Sequence, residues 1–286
     1  MSVTVTLDIY SGLPNPSWEL TEDQVAGLIE RLGASSERSL SKLPSLDGRL
    51  GYRGFHVETV QEKGLEASTL IHGGLADVSR LYPSLVLGGP DVERWLLSTG
   101  EGSLSDDLAE YVASQIATAG EASGGQQMMD LDATLHAVPP YDPGKWNNNP
   151  TILRHNNCYN YANDKITNTF AQPGRGSGSV GPYPPSCPST GAAAQRDGQI
   201  PIPSPDVTPA EGQIVALVVS TTPGFLDYHW YRRDNNNMWS HKPGGTPARN
   251  TDNAGRAIAN PQMCDRGPYN LFCGWYNSIP VRTRVN

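Results

Sequence analysis

The chain has 286 residues, of which 37% are apolar and 17% charged, so it is long enough for one large or two modest globular domains. No apolar run approaches the ~18 residues of a membrane span, which excludes a spanning helix. The net charge of −8 is unevenly spread: residues 1–140 hold 8 Lys/Arg against 20 Asp/Glu, whereas residues 141–286 hold 13 against 9. Two charge regimes suggest two structural units, an acidic one unsuited to nucleic acid and a mildly basic one. The two halves could also meet each other in an intramolecular contact.

In chain order, residues 3–9 alternate as a strand, and 10–16 form a turn cluster rich in Pro and Asn. Thr21 with Gln24 resembles a capping box ahead of a helix over 22–32. Tyr52 to Val60 reads as a strand, and a short element lies near Ser68–Ile71. Helices are expected at 91–98 and 105–118, the second with Leu108, Val112 and Ile116 at helical spacing. Residues 1–120 thus read as a small α+β domain, with 121–145 as a linker. His56, His72 and His136 are isolated there and point to no chemistry.

In the remaining residues, 146–286, a helix is expected from Asn156 to about Phe170, because Cys158, Ala162, Ile166 and Phe170 repeat every four residues. Asn156 or Asn157 would cap it. Residues 172–207 read as one long Pro/Gly/Ser loop. Gln213–Ser220 is a buried strand, and Tyr228–Arg233 with Met238–Lys242 forms a hairpin. The four cysteines, Cys158, Cys187, Cys264 and Cys273, match no zinc spacing. Cys264 and Cys273 flank a turn-like run and could close a small disulfide in an oxidising compartment, or stay reduced in cytosol. His155 and Cys158 could form half a metal site, but no second pair accompanies them. No cofactor or metal is expected.

The chemistry concentrates in Asn156-Asn157-Cys158-Tyr159-Asn160 and Asp227-Tyr228-His229-Trp230. A cysteine at a helix start gains thiolate character from the free N–H groups, and a nearby imidazole can carry its proton. Cysteine on a helix followed by histidine on a strand resembles the papain-like cysteine hydrolases, and in residue order their cell-wall amidase branch, the NlpC/P60 peptidases. The resemblance covers about 150–245. It implies a papain-like C-terminal domain, a helix packed on an antiparallel sheet, over residues 146–286. It further implies Cys158 as nucleophile, His229 as base and His241 as third catalytic group. Asp252 and Asn250 are reserve orienting residues. The substrate would be a peptide or cell-wall peptide. The usual Asp-Cys-Ser-Gly motif is absent, and Ile152 stands where papain carries its oxyanion glutamine. Asn156, Asn157 or backbone amides would then fill the oxyanion role. His229 and His241 share a strand face only if the loop between them has odd length, such as Asp234–Asn236.

Three functions compete at this stage: a thiol-dependent amide hydrolase, a non-catalytic binding protein, and an acyltransferase or transglutaminase using the same cysteine. With no Sec-type signal at the N-terminus, a cytoplasmic location is the default expectation, although signal-independent export would leave no such mark.

Overall fold

A computed structural model describes residues 2–33, 48–60, 66–77, 85–86, 91–118, 138–179, 184–207 and 209–286. It is a mixed α/β chain with two antiparallel sheets, divided into two compact units. Unit 1 comprises residues 1–9, 15–46 and 52–124, and unit 2 comprises 10–14, 47–51 and 125–286. The second unit therefore draws two short segments from a region that the sequence assigns wholly to an N-terminal domain.

Unit 1 begins with strands β1 (Ser2–Asp8) and β2 (Ser17–Glu19) and helix α1 (Glu22–Gly33). The capping box forms as expected: Gln24 N–H donates to Thr21 Oγ1, and Thr21 N–H donates to Gln24 Oε1 at 2.9 Å. Strands β3 (Gly54–Val60), β4 (Glu66–His72), β5 (Leu75–Asp77) and β6 (Leu85–Val86) follow, then helices α2 (Asp91–Thr99) and α3 (Asp106–Thr118). The sheet order is β2-β1-β3-β4-β5-β6. Val3, Val5, Leu7, Phe55, Val57 and Ile71 are all buried, as period-2 alternation requires for a sheet with one covered face. Leu28, Val92, Leu96, Leu108, Val112 and Ile116 are the buried apolar positions of the helices. At the end of β1, Asp8 accepts from the buried Arg53 guanidinium at 2.6 Å and lies 3.5 Å from His56 Nε2.

Unit 2 contains three short helices, α4 (Pro143–Asn147), α5 (Pro150–His155) and α6 (Cys158–Ala162), then α7 (Cys187–Arg196). Its strands are β7 (Ile200–Ile202), β8 (Gln213–Thr222), β9 (Phe225–Arg233), β10 (Trp239–His241) and β11 (Leu271–Ser278), ordered β10-β9-β8-β11-β7. The hairpin of β8 and β9 pairs Val218 with His229 and Leu217 with Trp230. In the next pairing, Tyr231 faces His241 and Arg233 faces Trp239, leaving five residues, 234–238, in the connection. That odd length puts His229 and His241 on one face.

Three expectations fail here. The helix at Cys158 ends at Ala162 rather than near Phe170, because Asp164, Asn168 and Phe170 take left-handed conformations with φ of 52°, 57° and 51°. The supposed loop 172–207 contains α7, capped by Ser186, whose side chain accepts from Ser189 N–H. Cys187, its first residue, is disulfide-bonded to Cys273 on β11, so Cys273 does not pair with Cys264. The β8–β11 register shifts between Phe272 and Gly274, so Cys273 is the extra residue of a bulge. The two cysteines pack at the margin of a core formed by Cys158, Tyr159, Ala194, Val215, Leu217, Val219, Tyr228, Trp230 and Tyr276.

Candidate functional site

The asparagines around Cys158 are spent on the fold. Asn157 caps α6, its Oδ1 accepting from Tyr159 N–H at 3.1 Å and Asn160 N–H at 3.2 Å. Its Nδ2 donates to Gly12 O at 2.9 Å and Ala171 O at 2.8 Å. Asn160 Oδ1 accepts from Asn157 N–H and Ala171 N–H, and its Nδ2 donates to Lys165 O and Thr167 Oγ1. Asn156 donates to Ile152 O and Asn168 Oδ1 and accepts from Thr167 and Asn168 N–H. All three are fully buried. The Tyr159 and Asn160 amides at the start of α6 already have a partner, the Asn157 side chain, while the Cys158 N–H lies beside its own sulfur. Asn156 and Asn157 thus staple the 163–171 loop, and their placement gives no oxyanion role.

Cys158 is fully buried. Burial pushes its thiol well above the usual range, and the Asp227 carboxylate adds to this, against smaller pulls from the Trp230 N–H, Lys242 and its own N–H. Lys242 is itself buried and donates to Leu153 O at 2.6 Å, Asn156 O at 2.5 Å and Gly244 O at 2.8 Å. Burial lowers its amine to about 7. The three carbonyls oppose that drop, since they match the three N–H donors of the ammonium form.

The histidines form a separate chain of hydrogen bonds. His229 Nδ1 lies 3.1 Å from Ser11 Oγ, His229 Nε2 lies 2.8 Å from His241 Nδ1, and His241 Nε2 lies 3.0 Å from Thr251 O. A carbonyl can only accept, so His241 carries its proton on Nε2 and accepts on Nδ1 from His229. Burial, with a smaller contribution from Arg249, holds His241 neutral down to about 3. Beside this chain, Asp227 accepts from the N–H groups of Ser11 at 2.7 Å, Gly12 at 3.2 Å and Leu13 at 2.9 Å, and from Tyr269 Oη at 2.5 Å. Burial raises the Asp227 carboxyl, and these donors oppose the rise. Ser11, Asp227, His229 and His241 are all fully buried.

The structure therefore brings His229 and His241 together and leaves Cys158 apart from them. Cys158 packs with Tyr228 and Trp230, whereas His229, between them in sequence, projects from the other face of β9 toward Tyr231, His241 and Tyr269. Asp252, the reserve orienting residue, instead closes its own turn, accepting from Ala254, Arg256 and Asp265 N–H groups and the Arg256 guanidinium. Asn250 supplies a backbone carbonyl to Ile258 N–H. Sequence reasoning missed Ser11, Asp227 and Tyr269. Alternation along β9 could have found Asp227, two residues before His229. Ser11 and Tyr269 carried no signal. Among the described residues, no group of three or more His, Cys, Asp or Glu is placed to hold a metal, and no helix is long and apolar enough to cross a membrane.

Known proteins decide the family. Over 151 residues the chain is 48% identical to "Insoluble matrix shell protein 1" of Ruditapes philippinarum, covering 93% of that protein and 51% of this chain. The chain belongs to the insoluble matrix shell protein 1 family. No family model matches it, and no solved structure does. Membership in the insoluble matrix shell protein 1 family overturns the cytoplasmic expectation, because the matrix of a shell lies outside the cells that make it. Nothing in the insoluble matrix shell protein 1 relative points to a papain-like or NlpC/P60 fold, so that resemblance rests only on the order of Cys158 and His229.

Proposed function

We propose that this protein is a non-catalytic structural component of an extracellular matrix. One observation carries the reading: every group a cysteine hydrolase would need is already committed inside the fold. The sulfur sits in the core, the Tyr159 and Asn160 amides of α6 serve the Asn157 cap, and both ring nitrogens of His229 are engaged by Ser11 and His241. A general base needs a ring nitrogen within hydrogen-bond reach of the proton it takes, and His229 offers none to Cys158. The Cys187–Cys273 disulfide suits an oxidising compartment. The shell-matrix relative supplies the setting.

The test is thiol reactivity in the native protein. Iodoacetamide at mildly acidic to neutral pH should leave Cys158 unmodified by peptide mass mapping, and labelling should follow unfolding. Rapid labelling of native Cys158 at pH 6, together with amide hydrolysis lost in Cys158→Ala, would overturn the reading. Antibody detection should place the protein in the insoluble extracellular residue. Recovery only from the cell interior would count equally against it.

A further inference from the structure

Five hydrogen bonds run in one unbroken line through unit 2. Asp227 Oδ2 lies 2.5 Å from Tyr269 Oη, which lies 2.5 Å from Ser11 Oγ. Ser11 Oγ lies 3.1 Å from His229 Nδ1, His229 Nε2 lies 2.8 Å from His241 Nδ1, and His241 Nε2 lies 3.0 Å from Thr251 O. Ser11 Oγ also stands 3.3 Å from Asp227 Oδ2 and 3.3 Å from Tyr228 O, both longer than its contact with Tyr269. Asp227, Tyr269, Ser11, His229 and His241 are all fully buried, so bulk water does not compete for these contacts. Each link needs one hydrogen between its two heavy atoms. A tyrosine, a serine and two neutral histidines bring four, and an ionised aspartate brings none. The line is therefore one hydrogen short, and without that hydrogen two lone pairs would face each other at one of these distances. The missing proton can sit on the Asp227 carboxyl or on the second ring nitrogen of His229. Asp227 already accepts from the amides of Ser11, Gly12 and Leu13, which favour its charged form. With the proton on His229 every link has a direction. The ring then donates from Nδ1 to Ser11 and from Nε2 to His241, Ser11 donates to Tyr269, Tyr269 donates to Asp227, and His241 donates to Thr251.

We infer that unit 2 carries a one-proton lock: an imidazolium at His229, balanced by the Asp227 carboxylate across Ser11 and Tyr269. The lock ties stretches far apart in sequence, the segment at Ser11, the strands β9 and β10, and the turns at Thr251 and Tyr269. Charged hydrogen bonds in a low-dielectric interior are strong, and a buried ion left alone there is costly, so gain or loss of this one proton acts on all of these stretches together. Other titratable groups surround the line. The Tyr231 ring meets both histidines, and Cys264 stands beside Tyr231. Arg249 and Asp252, of opposite sign, act on His241, and Cys158 and Tyr228 lie within electrostatic reach of Asp227. An imidazole in water holds its second proton only below about 6.5. Above that pH the folded chain binds more proton than the unfolded chain, so the lock is complete below about 6.5 and is lost as pH rises until the folded ring gives its proton up.

The direct test is nitrogen-15 spectroscopy of the full chain, labelled at histidine, at about pH 7.5. Long-range proton–nitrogen correlation should show hydrogen on both ring nitrogens of His229 and on one of His241. A neutral His229 ring would overturn the inference, whether the missing proton then appears as a carboxylic acid infrared band lost in Asp227→Asn or does not appear at all. Asp227→Asn supplies the fifth hydrogen from its own amide and removes the anion, so its stability should lack the pH dependence of the lock. The ratio of folding constants, parent over variant, should fall at least tenfold between about pH 7 and pH 9, one proton being worth up to tenfold per unit. A smaller fall would overturn the inference. Should the variant not fold, the parent alone decides: exchange protection of the Ser11, Gly12 and Leu13 amides, taken relative to amides at the middle of β8, should drop at least tenfold over the same range, and a smaller drop would overturn it. No outcome here bears on the burial of Cys158, so the matrix reading stands or falls separately.

Discussion

The disulfide between Cys187 and Cys273 closes 86 residues of unit 2, and its removal gives the strongest handle on the fold. In the chain-entropy description, a loop of that size removes about 15 cal/mol/K from the unfolded ensemble, or about 4.5 kcal/mol at 25 °C. The bond joins the first residue of α7 to the bulge of β11, two elements otherwise held by small side chains such as Ala193 and Ala194. For a unit of this size, each kcal/mol moves the melting temperature by about 2–4 °C. The Cys187→Ser/Cys273→Ser variant should therefore melt roughly 10–15 °C below the parent, followed by near-ultraviolet circular dichroism of the tryptophans in unit 2. Reductant should lower the parent to the same temperature and leave the variant unchanged. A shift below about 3 °C, or a reductant effect that persists in the variant, would refute the pairing and its energetic role.

Three further outcomes follow from the buried polar groups. Asn157→Ala removes a helix cap, worth about 0.5–2 kcal/mol, and strands the carbonyl of Ala171 at about 1–3 kcal/mol, whereas Gly12 O keeps its donors Gln172 Nε2 and Tyr228 Oη, so chemical denaturation should show a loss of at least about 1.5 kcal/mol. Asn157→Asp can still cap but cannot donate, so it should recover only part of that. His241, neutral in the fold down to about 3 but able to bind a proton near 6.5 once unfolded, makes the unfolded state the better proton binder between those values. Stability should fall with falling pH across that window by up to about 1.4 kcal/mol per unit from this group, and His241→Gln should flatten the slope. In unit 1, burial works to raise the Asp8 carboxyl, but Arg53 and His56 outweigh it and hold it well below the usual carboxylate range. Its contribution is fully present above pH ~4 and lost progressively as pH falls toward the folded value, so Asp8→Asn should destabilise most at pH 7 and by progressively less below pH ~4.

What was legible in the sequence depended on how one-sided each element is. The helices and strands of unit 1 have one wet face, so their periodicity is clean: Val3, Val5 and Leu7 alternate, and Leu108, Val112 and Ile116 repeat at four. Strand β9 is buried on both faces, so Tyr228, His229, Trp230 and Tyr231 give no sign of which side meets α6. The sequence could thus place a cysteine on a helix and a histidine on a strand, yet could not tell that the sheet stands between them. Helix α7 was missed because its buried residues are Thr190, Gly191, Ala193 and Ala194, with no large apolar stripe. It needs small residues because it lies close to the sheet: a Cβ on Gly191 would stand 2.5 Å from Tyr276 Oη. The fourfold spacing from Cys158 to Phe170 was coincidence, cut by the left-handed Asp164. Position along the chain says nothing of depth, so the pairing of Cys273 with Cys187 rather than the nearer Cys264 was equally invisible.

The carboxylate of Asp227 has a consequence for how the polypeptide is made. Three of its donors are amides from residues 11–13, and another is Tyr269, 258 positions beyond Ser11. A buried anion of this kind is tolerable only when all of them have arrived. The second unit therefore cannot reach its final form while its last strand is still in the ribosome. Nor can a fragment beginning after residue 140 reproduce it, and adding a peptide spanning Tyr10–Pro14 in trans should restore what the shortened chain has lost.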